Sequence, residues 1–184
     1  TGGPNALATL LPNLPKDFPV PIAIVQHMPA VFTKLIAERL DASTSLKVCE
    51  AQDGDTLLPG GVWLAPGNFH MRIERENSEY KVRLNQDPPE HFCRPSVNVL
   101  FRSAAEIFGP NTLAVILTGM GSDGTEGCQK LHEIGAQIIV QDESTSVVWG
   151  MPGSVAEHRL AEAILPIDQI AQEIIKRVSQ HRNP

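Results

Sequence analysis

Three short, unbroken apolar runs stand out along the chain: Ile22 to Val25, Leu113 to Leu117, and Ile138 to Val140. Runs this short, without polar alternation, predict parallel strands covered on both faces. Between and after them the apolar positions switch to helical spacing. Val31, Phe32, Leu35, Ile36 and Leu40 form one stripe just beyond Pro29. Val97, Leu100, Phe101, Ala104, Ile107 and Phe108 form a second beyond Pro95. Ile167, Ile170, Ala171, Ile174, Ile175 and Val178 form a third beyond Pro166. Proline suits a first helical turn because its missing N–H would be unpaired there anyway, so each proline predicts a helix start. The alternation predicts a doubly wound α/β domain with helices on both faces of a mostly parallel sheet. The middle differs. After a short strand at Val62 to Ala65, Met71 to Glu76 and Glu79 to Leu84 flank Asn77-Ser78, the pattern of an antiparallel hairpin at one edge. No repeat, low-complexity stretch or linker divides the chain, so residues 1–184 are expected to form a single domain.

Two glycine-containing turns carry the candidate chemistry. Thr1-Gly2-Gly3-Pro4 reads as a tight turn entering a helix from Pro4 to Leu14. In an alternating fold such a turn follows a strand, so the chain is expected to be cut within its first βα turn, with a strand lying upstream. The stretch Leu117 to Gly127 follows an apolar run and leads into a helix marked by Cys128, Leu131 and Ile134. A strand-to-helix turn of this kind exposes N–H groups at a helix N-terminus and can aim a carboxylate into a cleft. Ligands of open α/β sheets bind beyond the carboxyl ends of the strands, and those ends hold Gln26-His27-Met28-Pro29, Thr118 to Asp123, and Gln141-Asp142-Glu143-Ser144. A histidine, a carboxylate and a glycine turn are the parts of a nucleophilic hydrolase. Two readings of Asp123 stand side by side: a catalytic carboxylate, or the N-cap of a capping box with Glu126. His27 is either the base or a packed strand-end histidine.

Composition narrows the field. The 42% apolar and 20% charged fractions are those of a folded domain large enough to bury a core. A net charge of -6 with no run of Lys or Arg argues against a nucleic-acid surface. No apolar stretch reaches membrane-spanning length, so no insertion is expected. The cysteines Cys49, Cys93 and Cys128 have unrelated spacings, which predicts reduced thiols in the cytoplasm. His70, His91 and Cys93 lie on predicted loops without metal-ligand spacing and are read as surface residues, so neither metal nor cofactor is implied. His132, His158 and His181 fall on predicted helices facing solvent. Gly119 to Gly124 lacks the Lys and Ser/Thr of a phosphate-binding loop. Thr1 as an N-terminal nucleophile would leave His27 and Asp123 idle.

Six segments resemble, in order, the catalytic domain of the chemotaxis protein-glutamate methylesterases, the CheB family: Thr1-Gly2-Gly3-Pro4, Val25 to Pro29, Ala65 to Met71, Arg94 to Phe101, Leu117 to Gly124, and Gly150-Met151-Pro152. The resemblance implies a three-layer α/β/α domain whose Ser-His-Asp triad hydrolyses glutamate methyl esters on chemoreceptors, with glutamine deamidation in some members. It assigns His27 as base, Asp123 as orienting carboxylate and the Met120 N–H as oxyanion donor. The nucleophilic serine of the family would immediately precede Thr1 and Gly2. Asn98 departs from the Asp common at that position. The implied partners are methylated chemoreceptor helices and an N-terminal receiver domain, with no nucleic acid. By charge and location, Arg94 and Arg72 are candidates for recognising acidic flanks of such a helix, beside their plainer reading as solvated basic residues. The alternative function is a non-catalytic receptor-binding or regulatory module.

Overall fold

A computed structural model describes residues 1–180; His181 lies outside the described residues. The elements run α1 (Gly3–Leu10), β1 (Ile22–Ile24), α2 (Ala30–Ser43), β2 (Lys47–Glu50), β3 (Gly61–Leu64), β4 (His70–Glu76), β5 (Glu79–Asn85) and α3 (Val97–Phe108). The chain continues with β6 (Leu113–Ile116), α4 (Thr125–Glu133), β7 (Gln137–Gln141), α5 (Met151–Glu157), β8 (Ala163–Leu165) and α6 (Ile167–Gln180). Strands β1, β3 and β2 pair in parallel in that order, as do β6, β7 and β8. The hairpin forms its own antiparallel pair, β4 with β5. The elements without a sequence signal of their own, β2 and β8, are short, and in β2 the pair Val48-Cys49 is flanked by Lys47 and Glu50, which leaves no longer apolar run.

Side-chain alternation along the strands separates the layers. Ile139 joins Val62 and Leu64 in a core with Leu7 of α1, Leu40 of α2 and Ile170 of α6. Ile138 and Val140 point the other way, into a core with Leu131 of α4 and Val155 of α5. Trp63 shares a third cluster with Met71 and Val82 of the hairpin and Leu100 of α3. Helices therefore cover both faces, giving the three layers. Among the described residues β1 pairs only with β3, and β6 only with β7. Residues of both strands, among them Ile22, Ile24, Leu113 and Val115, line a cavity of about 560 Å³ that also reaches Thr1 and His27.

Helix α2 corrects the expected stripe. Val31 and Leu35 are 75% and 57% exposed, and the buried face is Thr33, Ala37 and Leu40. A polar anchor sets this rotation. The Thr33 hydroxyl donates to Glu50 Oε1 at 2.5 Å and accepts from the Gly67 N–H at 3.1 Å. A Cβ on Gly67 would stand 2.3 Å from the Ala30 nitrogen, so the helix start rests directly on that glycine. Hydrogen bonding of one threonine outweighs the outward-facing apolar side chains.

Burial pushes the Cys128 thiol up to about 12. Native protein treated with iodoacetamide at neutral pH is therefore expected to leave Cys128 unmodified, with alkylation there appearing only after denaturation, as peptide mass spectrometry would read.

Candidate active site

Strand β1 ends at Ile24 and hands the chain to Val25 through Pro29, which places His27 at the carboxyl rim of the sheet. Strand β6 ends at Ile116, and the following loop brings Asp123 to the same place. His27 Nε2 lies 2.6 Å from Asp123 Oδ2; the imidazole is partly exposed and the carboxylate is buried. An ionised carboxylate only accepts, so Nε2 carries the proton and the basic lone pair sits on Nδ1.

The Asp123 carboxylate does not cap its own helix, which corrects the capping-box reading. The N-cap of α4 is Gly124 at φ 99°, and Glu126 contacts His91 instead. Asp123 Oδ1 accepts from the Ser96 hydroxyl at 2.7 Å and the Asn98 N–H at 3.2 Å, while Oδ2 accepts from the Val97 N–H at 2.7 Å. These donors form the N-terminus of α3, whose exposed amides and dipole favour an anion. Asn98 returns the contact: its Oδ1 accepts from Gly124 N–H at 3.0 Å and Gly127 N–H at 2.8 Å, at the start of α4. Each helix start is thus capped by a side chain from the other side of the pair. Burial pushes the Asp123 carboxyl up, but the bonds from His27, Ser96, Val97 and Asn98 outweigh it and hold the group below the usual carboxylate range. The carboxylate stays ionised at neutral pH and can stabilise an imidazolium.

The turn at Thr1 packs against the same rim. Thr118 Oγ1 is 3.1 Å from the Thr1 carbonyl and accepts from the Val148 N–H at 3.0 Å. Buried Gln141 fixes that loop, accepting from the Thr118 N–H and donating to the Thr145 carbonyl, both at 2.8 Å. Gly2 has φ 79°, and a Cβ there would stand 2.7 Å from Val147 Cγ2. Only glycine fits. The Met120 side chain is exposed, and its backbone N–H has no hydrogen-bond partner among the described residues, which leaves it available to an incoming oxyanion.

The remaining expected residues lie elsewhere. Arg94 spends its guanidinium on Asn68 Oδ1 at 3.2 and 2.6 Å and on the carbonyls of Gln86 and Asp87 at 3.0 and 3.1 Å. Arg72 stands on β4 with Nη2 3.8 Å from Glu106, and neither arginine bonds His27 or Asp123. His70 is buried, contrary to the surface expectation: its Nδ1 accepts from the Ser96 N–H at 3.2 Å and its Nε2 donates to the Pro88 carbonyl at 3.1 Å. The sequence places Thr118 and Gln141 at strand ends but does not reveal their bonds to one another and to the Thr1 turn, and Ser96 left only the signal of a serine immediately before a helical stripe. Among the described residues, His27, Cys93 and Asp123 bring metal-type ligand atoms within 4.8 Å of one another. The hydrogen bonds already on both Asp123 oxygens make that set a poor metal cage.

An imidazole held by a buried carboxylate at the carboxyl rim of a doubly wound sheet is an arrangement that can serve acid–base chemistry. The chain belongs to the CheB methylesterase family, whose profile matches residues 1–174. It is 51% identical over 178 residues to the protein-glutamate methylesterase/protein-glutamine glutaminase of Trichodesmium erythraeum, covering 97% of this chain and 51% of the relative. It is 45% identical over 182 residues to enzyme 2 of that name from Methanosarcina mazei, covering 97% of this chain and 50% of the relative. The chain thus spans about half the length of these curated relatives. The Thermotoga maritima CheB methylesterase catalytic domain superposes with a TM-score of 0.94 at 45% identity, over 95% of this chain and 93% of that one.

Replacing Asp123 by Asn turns one of its two acceptor oxygens into a donor and faces it with the Val97 or the Asn98 N–H, so urea unfolding at neutral pH should show a loss of roughly 1–3 kcal/mol. The folded carboxyl titrates below its unfolded value, so its contribution is present above the unfolded pKa and lost as pH falls through the folded one. Urea midpoints measured downward from about pH 4 should therefore fall more steeply for the wild type than for the variant.

Proposed function

We propose that this chain is the catalytic part of a cytoplasmic protein-glutamate methylesterase that also deamidates glutamine, acting on methylated chemoreceptor helices. The 2.6 Å bond between His27 Nε2 and buried Asp123 carries the reading, because it leaves Nδ1 as a base at the rim. A serine immediately upstream of Thr1 is the proposed nucleophile. The cavity between β1 and β6 supports this, since a parallel strand seated there would pair with both edges and deliver its last residue to the Thr1 turn. Among the described residues no helix is long and apolar enough to cross a membrane. A receiver domain on the N-terminal side is part of the proposal.

In the proposed reaction the serine Oγ attacks the ester carbonyl while His27 Nδ1 takes its proton. The resulting oxyanion accepts from the Met120 N–H, and the positive end of α1 favours the same charge. As the carbon–oxygen bond breaks, the imidazolium returns the proton to the leaving methoxide, releasing methanol. Water then attacks the acyl-enzyme with His27 as base, giving the glutamate carboxylate and restoring serine. With glutamine, ammonia leaves in place of methanol.

Full-length protein incubated with methylated receptor membranes should release methanol. Its His27→Ala variant should lose at least about 10³-fold in kcat, because triad members act as a unit. Receptor binding without methanol release by the wild type would replace the esterase with a binding module.

A further inference from the structure

Beside the His27–Asp123 pair, the chain makes a tight hairpin that local preferences oppose. Glu90 and Cys93 exchange both backbone bonds, at 3.1 Å from the Glu90 nitrogen and 2.7 Å from the Cys93 nitrogen. The two residues between them, His91 and Phe92, lie in the left-handed region with φ 47° and 63°. Such a primed turn is normally built from Asn-Gly or Gly-Gly, and a bulky residue there is an outlier. Two helices hold it in place. The Glu90 carboxylate pairs with both terminal nitrogens of Arg102 on α3, and His91 Nε2 lies 3.0 Å from Glu126 Oε1 on α4. These are the helices whose starts hold Asp123.

Phe92 gains nothing from the arrangement within the fold, for its side chain is fully exposed. Backbone strain that serves no packing clusters at binding and clamping sites. The next residue, Cys93, brings its sulfur within 4.8 Å of the His27 and Asp123 ligand atoms, so the turn that carries Phe92 adjoins the cleft. Other large apolar side chains are exposed on neighbouring rim segments: Val31 after His27, Met120 after β6, and Val147 against Gly2.

We propose that the strained turn presents Phe92 as an anchor for the apolar stripe of the substrate helix, with Met120 and Val147 as further contacts. The proposal rests on the methylesterase reading and adds to it a residue that selects the protein substrate. Amphipathic helices are read through apolar residues at i, i+3 and i+4, and aromatic anchors dominate such interfaces. A small ester offers no stripe to grip. Phe92 therefore determines which esters reach the site and leaves ester chemistry itself unchanged.

The test compares full-length wild type with Phe92→Ala, Phe92→Gly and Phe92→Leu, on methylated receptor and on p-nitrophenyl acetate. Receptor kcat/KM should fall roughly ten- to a hundredfold for the Ala and Gly variants, the loss carried by KM, as expected for withdrawing one buried aromatic ring. Hydrolysis of the small ester should stay unchanged, and Phe92→Leu should recover most receptor activity. The Tm of Phe92→Gly should not drop, since glycine relieves the left-handed backbone. Receptor kcat/KM within twofold of wild type for both Ala and Gly would overturn the anchor, as would an equal loss on the small ester. A wild type inactive on receptor would instead sink the methylesterase reading and the anchor with it.

Discussion

Asp123 is the point on which the carboxyl rim converges. Its two oxygens collect the imidazole of His27, the hydroxyl of Ser96 and the amides of Val97 and Asn98. Hydrogen bonds to a charged group are worth roughly 1.5–3 kcal/mol each, about twice a neutral one. Burial alone would favour the neutral acid, and only the joint action of these donors keeps the charge. The reciprocal bonds from Asn98 Oδ1 to the start of α4 mean that neither helix can shift without disturbing the other's first turn. Orientation of the base and docking of two helices are one event.

Behind the rim, buried polar groups do the positioning that apolar packing cannot. Thr33 sets the rotation of α2, Gln141 ties the loop after β6 to the loop after β7, and His70 holds the Ser96 backbone. Each is buried with its polar atoms engaged, so each contributes direction where the surrounding Leu, Ile and Val side chains contribute only cohesion. Loops carried on such supports hold a site more accurately than loops braced by apolar contact alone.

The architecture was largely legible in the sequence because parallel strands buried on both faces leave runs such as Ile138 to Val140 that no other element explains. Position at strand ends also singled out His27 and Asp123. What the pattern hid was rotation and non-local bonding. Val31 and Leu35 look like core residues, yet Thr33 turns them outward. Asp123 and Glu126 spell a local capping box, yet the carboxylate reaches a helix start 26 positions back at Val97. His70 reads as a loop histidine because its partners, Ser96 and Pro88, are distant in sequence. Local signals identify groups that can form caps; only the folded chain decides whose helix they cap.

The cross-capping of α3 and α4 has a dynamic consequence. The amides of Val97, Gly124 and Gly127 are bonded across the contact between the helix starts and exchange with solvent when it opens, and that same opening frees the Asp123 carboxylate that holds His27. Hydrogen-exchange protection at these backbone positions is therefore an internal gauge of how much of the time the site is assembled, readable without any substrate.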